Sequence, residues 1–298
     1  ILRLGEVVGT LDIKGADAQM LANLMIGKEL NEIQYDKNGG NGREILKLNH
    51  VKYHPHMKHN GLNDITMNIR CGEIVGIAGV DGNGQTQLAQ MVTGVIEPEE
   101  GEIYINGEKV SKYDPLNFIF GGVAHVPEDR NLQGLIGDMS VADNLVLKSA
   151  ELPTFSKGRG WMLKKKDILV YGENIAGKYD IRCTSVEQDV RSLSGGNQQK
   201  VILARELESN PNLLVAVHPT RGLDIGATRF VQERMIEAKV KGVGVLLISA
   251  DLDEILKMSD RILVMFEGKI MGEFSGINPP IEKISMAMTG NNEVEHNG

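Results

Sequence analysis

A chain of 298 residues has room for one large domain or two small ones, and 41% hydrophobic with 24% charged residues describes an ordinary globular protein. Its formal charge of -8 argues against a general nucleic-acid-binding surface, so no nucleic-acid partner is expected. The two cysteines, Cys71 and Cys183, fit no metal-ligand or disulfide framework, which points to a reducing cytosol, and apolar runs such as Val243 to Ala250 are too short to cross a bilayer.

The chain opens on I-L-R-L-G-E-V-V-G-T with no initiator Met, as though cut from something longer. An ungapped shift of 263 places Gly5 on Gly268, Val7 on Ile270, Gly9 on Gly272, Met25 on Met288 and Gly27 on Gly290. Both copies read as strand, glycine turn, strand and a short helix closed by glycine. Duplication of this kind marks residues 1–36 as the tail of an upstream homologous domain. The polar, Gly-rich stretch 37–43 reads as a linker, 44–290 as the second domain and 291–298 as a loose tail.

Glu73 to Ala78 is an apolar run that reads as a buried strand. It feeds G-V-D-G-N-G-Q-T, from Gly79 to Thr86, and then an amphipathic helix through Leu88, Met91 and Val92. This is P-loop context: backbone N–H groups around Gly79, Gly82, Asn83 and Gly84 and a helix start face phosphate oxygens. Gln85 stands where G-x-x-x-x-G-K-[ST] places lysine, while Thr86 is kept as a candidate magnesium contact.

R-S-L-S-G-G-N-Q-Q-K, Arg191 to Lys200, is the most specific string in the chain. Ser194 is a ready N-cap, Gly195 and Gly196 allow close approach to an anion, and Val201, Ala204 and Leu207 form an apolar helical stripe. Here the sequence resembles the ABC-transporter ATPase family, whose signature loop reads L-S-G-G-Q or, in sugar and nucleoside importers, L-S-G-G-N-Q-Q-K. The resemblance assigns Ser194, Gly195, Gly196, Asn197 and Gln198 to that loop. It makes Val123–Glu128 the Q-loop strand, with Glu128 in the glutamine position, and Leu213–Thr220 the Walker B strand. Arg221-Gly-Leu-Asp224 becomes the D-loop, and Val245–Ala250 the strand that normally ends in a switch histidine. Tyr53, or more weakly His54 or His56, is the candidate for stacking on adenine.

The same resemblance exposes departures. The metal-organising Asp and the water-polarising Glu of Walker B are Val217 and His218, the switch histidine is Ala250, and the lysine is Gln85. Phosphoryl transfer depends on positioning and electrostatics, so these losses predict a site that does not hydrolyse ATP. His218 as a substitute base is the weaker reading, and a locally paired His218 beside Pro219 is preferred.

The expected fold is α/β: a P-loop, RecA-like core on a mainly parallel sheet. An antiparallel β subdomain is expected near 44–72 and 101–112, and a helical subdomain near 127–190 with Trp161 packed in or beside it. The resemblance implies ATP with magnesium as cofactors, and energy coupling in an importer of nucleosides or simple sugars at the cytoplasmic face of the membrane. It implies as partners the upstream nucleotide-binding domain, the transmembrane permease subunits and, indirectly, an extracytoplasmic solute-binding protein. In that scheme the chain supplies its signature loop to the upstream ATP site. The alternatives are a non-transport ATPase of the same type and a regulatory pseudo-ATPase.

Overall fold

The continuous apolar runs of the sequence become the inner strands of a sheet. In the computed structural model, which describes residues 1–3, 5–15, 17, 20–21, 23–24, 35–37, 39–40, 42–54, 61–158 and 160–291, five strands run parallel. They are β8 (Val123–Val126), β11 (Leu213–Val217), β12 (Gly244–Ser249), β5 (Ile74–Ala78) and β13 (Arg261–Phe266), side by side in that order. The edge strand β14 (Lys269–Ser275) returns antiparallel to β13. Every residue of β5, β11 and β12 is buried, as expected of parallel strands covered on both faces.

A second, antiparallel sheet is ordered β4 (Leu62–Arg70), β3 (Glu44–Tyr53), β6 (Glu100–Ile105) and β7 (Glu108–Lys109), where the sequence placed the β subdomain. Between the two sheets lies an apolar layer with α1 (Gln85–Val92) and α2 (Pro115–Phe120), centred on Leu88, Met91, Ile103 and Phe118. The other face of the main sheet is covered by α5 (Gly195–Glu208), α6 (Ile225–Val240), α7 (Leu252–Met258) and α8 (Ile281–Met288). Two further helices, α3 (Val141–Val146) and α4 (Lys165–Lys178), extend this layer within the 127–190 interval. The α/β expectation therefore holds.

One expectation is corrected. Between α3 and α4 the chain forms a small hairpin, β9 (Ser156–Lys157) with β10 (Met162–Leu163), and Trp161 stands at its turn 90% exposed instead of packing. Two-residue strands offer no second layer that could cover an indole. The described residues around the tail–linker boundary contact the domain. Tyr35 donates its hydroxyl to the Met258 carbonyl, Lys37 donates to the Gly276 carbonyl at 3.2 Å, and Lys239 donates to the Asp36 carbonyl at 2.7 Å. A Cβ on Gly40 would lie 2.3 Å from the Cys71 carbonyl oxygen, so the backbone there runs against the domain.

The opening residues form a hairpin of β1 (Leu2–Arg3) and β2 (Glu6–Val7) that pairs Leu2 with Val7 and Arg3 with Glu6. The β13–β14 turn pairs Met265 with Ile270 and Phe266 with Lys269, which is the same register under the 263-residue shift. Gly5 and Gly268 hold the corner with φ of 84° and 73°. Met25 and Gly27, the other members of the first copy, lie outside the described residues, as do 292–298.

A candidate nucleotide site and its signature face

Strands β5, β11 and β12 end on the same edge of the sheet, so Gly79, Val217 and Ser249 deliver their loops to one crevice. Carboxyl ends of parallel strands are where α/β folds hold ligands. The loop from Gly79 to Thr86 turns on Gly82 and Gly84, whose φ angles of 92° and 102° suit glycine, and Gly84 caps α1. Asn83 fixes the loop from outside: its carbonyl accepts from Gly268 N–H at 2.9 Å and its Oδ1 from Glu267 N–H at 2.8 Å.

Gln85 is folded into this loop. Its Oε1 accepts from Asn83 N–H at 2.9 Å, its Nε2 donates to the Val80 carbonyl at 2.9 Å, and the residue is 6% exposed. The side chain at the lysine position therefore bridges the loop and occupies an N–H that a phosphate oxygen would otherwise use. Thr86 is exposed at the start of α1.

Val217 ends β11 at 3% exposure and presents no oxygen to a metal. His218 follows with φ 45°, and its N–H donates to the Ile248 carbonyl at 2.8 Å, prolonging the ladder. Its Nδ1 accepts from Ala250 N–H at 3.3 Å, and its Nε2 lies 3.6 Å from Asp81 Oδ1. The imidazole therefore links the Walker B, switch and P-loop positions across the crevice, not locally beside Pro219. An Nδ1 that accepts from Ala250 N–H is not free to activate water. Thr220 donates to Glu254 Oε1 at 2.8 Å, and burial raises the Glu254 carboxyl above its ordinary range.

Magnesium does not fit the donors present. Of the positions that would hold it, Val217 is apolar, and Glu128 is engaged by Arg221 Nη1 at 2.7 Å. Thr86 is the remaining oxygen. Among the described residues no group of three or more His, Cys, Asp or Glu is placed to hold a metal.

Tyr53 ends β3 opposite Leu62, half-buried against the inter-sheet apolar layer. Gly61, beside it, approaches the P-loop: a Cβ on Gly84 would lie 2.9 Å from the Gly61 carbonyl oxygen. His54 is drawn away to Glu99 Oε2 at 3.2 Å, and His56 lies outside the described residues.

The signature loop has a different character. Ser194 sits at the N-cap of α5, exposed, but its hydroxyl caps no backbone N–H; it accepts instead from Asn197 Nδ2 at 3.0 Å. Asn197 Oδ1 in turn accepts from Arg182 N–H at 2.9 Å, and Gln198 Nε2 donates to the Val190 carbonyl at 3.3 Å. The first-turn N–H groups of a 14-residue helix are thus left without a side-chain cap, which is an anion-favouring terminus. Asp224 does cap α6, accepting from Ala227 N–H at 2.8 Å. The two helix starts meet closely, since a Cβ on Gly196 would lie 2.8 Å from the Ala227 Cβ.

Motif reading missed the bonds that close the P-loop through Gln85, the ring contacts of His218, and Arg130. The Arg130 guanidinium lies over Gly195. The run Pro-Glu-Asp-Arg, with charges of both signs directly after a buried strand, was the available signal.

A Gly-rich loop between a central parallel strand and a helix, with an L-S-G-G helix start on the same domain, defines an ATP-binding cassette. The chain belongs to the ABC transporter family, whose model matches residues 62–221. It is 36% identical over 295 residues to the guanosine import ATP-binding protein NupO of Bacillus subtilis (strain 168), covering 99% of this chain and 58% of that protein. It is 38% identical over 292 residues to the glucose import ATP-binding protein TsgD13 of Haloferax volcanii, covering 97% and 53%. The chain thus spans a little over half the length of these relatives. A nucleotide-free ATP-binding cassette from an ABC transporter shares the fold at a TM-score of 0.67 and 22% identity, over 85% of this chain and 97% of that one.

Proposed function

We propose that the chain is the second cassette of a tandem importer ATPase, with 1–36 the tail of the first cassette, 37–43 the connection, 44–290 the cassette and 291–298 its tail. The cassette completes the upstream ATP site with Ser194, Gly195, Gly196, Asn197 and Asp224 while its own site holds or omits nucleotide without hydrolysing it. The carrying observation is a P-loop whose Asn83 N–H is taken by Gln85, in a domain that keeps Ser194, Gly195 and Gly196 at a helix start. The matched register of the β1–β2 and β13–β14 hairpins supports an upstream copy.

Energy coupling for nucleosides or simple sugars is supported by relatives named for guanosine and glucose import. The partners are then permease subunits at the cytoplasmic face of the membrane and, through them, an extracytoplasmic solute-binding protein. Among the described residues no helix is long and apolar enough to cross a membrane. The test is ATP turnover by the two-cassette protein carrying Ser194→Ala: a loss of about 10-fold or more is expected from removing a positioned donor. Unchanged turnover rejects the signature-donor role.

A further inference from the structure

The segment that leaves β8 is tied together by its own hydrogen bonds. Asp129 Oδ1 accepts from the N–H groups of Asn131 and Leu132 at 2.9 and 3.0 Å, winding a single π-type turn over Arg130–Gly134. A Cβ on Gly134 would lie 2.6 Å from Ile202 Cδ1, so the turn rests directly on α5, while Leu132 faces outward at 84% exposure.

Two side chains of this segment grip the same residue at the head of the D-loop. Glu128 Oε1 accepts from Arg221 Nη1 at 2.7 Å, and Arg130 Nη1 donates to the Arg221 carbonyl at 3.3 Å. The Arg130 guanidinium also covers Gly195, where an added Cβ would meet Nη2 at 2.9 Å. Its Nε is buried without a hydrogen-bond partner among the described residues. An unpaired buried N–H costs stability, so packing and folding alone do not favour arginine here.

We propose that Glu128 and Arg130 form a two-point clamp on Arg221 that positions Gly195 and the D-loop, so that displacement of the outward-facing 128–134 turn moves the signature loop with it. The proposal rests on the signature-donor reading above. Arg130 is a positioning residue: it acts through Gly195 and Arg221. Lysine cannot replace it, because a single ammonium lacks the planar fork that reaches the carbonyl and covers the glycine together.

The experiment measures kcat and KM for ATP, and Tm, in the two-cassette protein with its membrane partners, for Arg130→Ala, Arg130→Lys, Glu128→Ala, the double alanine variant and Ser194→Ala. Arg130→Ala is expected to lower kcat about 10-fold or more, as small misplacements of catalytic geometry do, with little change in KM because the upstream P-loop holds the ATP. Arg130→Lys should recover only part of the loss. The double variant should be scarcely worse than the single ones, as residues acting as one unit are non-additive. Wild-type kcat in Arg130→Ala beside an inactive Ser194→Ala overturns the clamp and leaves the signature role standing. Wild-type kcat in both overturns the signature role itself. A kcat loss that tracks a fall in Tm and is fully rescued by lysine also overturns the clamp, since the residue is then structural.

Discussion

Replacing Gln85 by lysine separates charge from shape at the P-loop. In the native loop Gln85 gives two neutral hydrogen bonds, to Asn83 N–H and the Val80 carbonyl, each at 2.9 Å. Such bonds contribute about 0.5–1.5 kcal/mol each, so Gln85→Lys should cost about 1–3 kcal/mol of unfolding free energy in a urea titration. In exchange it releases Asn83 N–H and places an ammonium toward the phosphates. A hydrogen bond to a charged group contributes about 1.5–3 kcal/mol, so ATP should bind roughly 10- to 100-fold more tightly by calorimetric titration. Gln85→Ala is the control: it also frees Asn83 N–H but adds no charge, and should improve binding far less. On the proposed reading neither variant should hydrolyse ATP, because Val217 offers no oxygen. Equal affinities for the lysine and wild-type chains, or for the lysine and alanine variants, would refute the argument that both the bridge and the missing charge close this site.

Two further outcomes test the frame around the site. Gly196→Ala sets a Cβ 2.8 Å from the Ala227 Cβ, and the shift this forces should cost about 1–3 kcal/mol, partly offset by about 0.5–1 kcal/mol of helix propensity; a urea midpoint at or above wild type would deny the close approach of α5 and α6. His125 reports on pH: burial, against the opposing charge of Glu206, lowers its imidazole to about 4. The unfolded chain then binds the proton first as pH falls, so stability is complete above about 6.5 and declines as pH falls toward 4, by at most roughly 1.4 kcal/mol per unit from this residue. His125→Gln should flatten that slope, and an unaltered slope would assign it to other groups.

What was legible in the sequence is what local pattern encodes. Strand β11 could be read directly, because Leu213 to Val217 is an unbroken apolar run, short enough for a strand and suited to one covered on both faces. Gly82 and Gly84 announced their positive φ, and the opening hairpin could be matched to the closing one because a glycine corner fixes register. The chemistry that escaped was non-local or depended on side-chain direction. Arg221 meets Glu128 across 93 positions and His218 meets Ala250 N–H across 32, and no periodicity carries such pairings. Gln85 was legible as a lost charge, but whether its amide would point outward to solvent or inward to Asn83 depends on a rotamer. Ser194 had the residue type of an N-cap, yet its hydroxyl serves Asn197, a preference set by the side chain three residues on.

That last reversal bears on function. A helix start ordinarily satisfies its first N–H groups with a side chain, as Asp224 does for α6 and Asp251 for α7. On α5 the serine is present and does not cap, so the terminus keeps its donors and its partial positive charge. Within the same domain the P-loop commits one of its donors to Gln85. The start of α1 likewise has no side-chain cap, so the two termini differ only in the loop that precedes α1, where one donor is taken from within. A cassette that hydrolysed its own ATP would need its P-loop donors free. On the proposed reading, a cassette that completes a neighbour's site needs its signature terminus free, and Ser194 leaves that terminus uncapped.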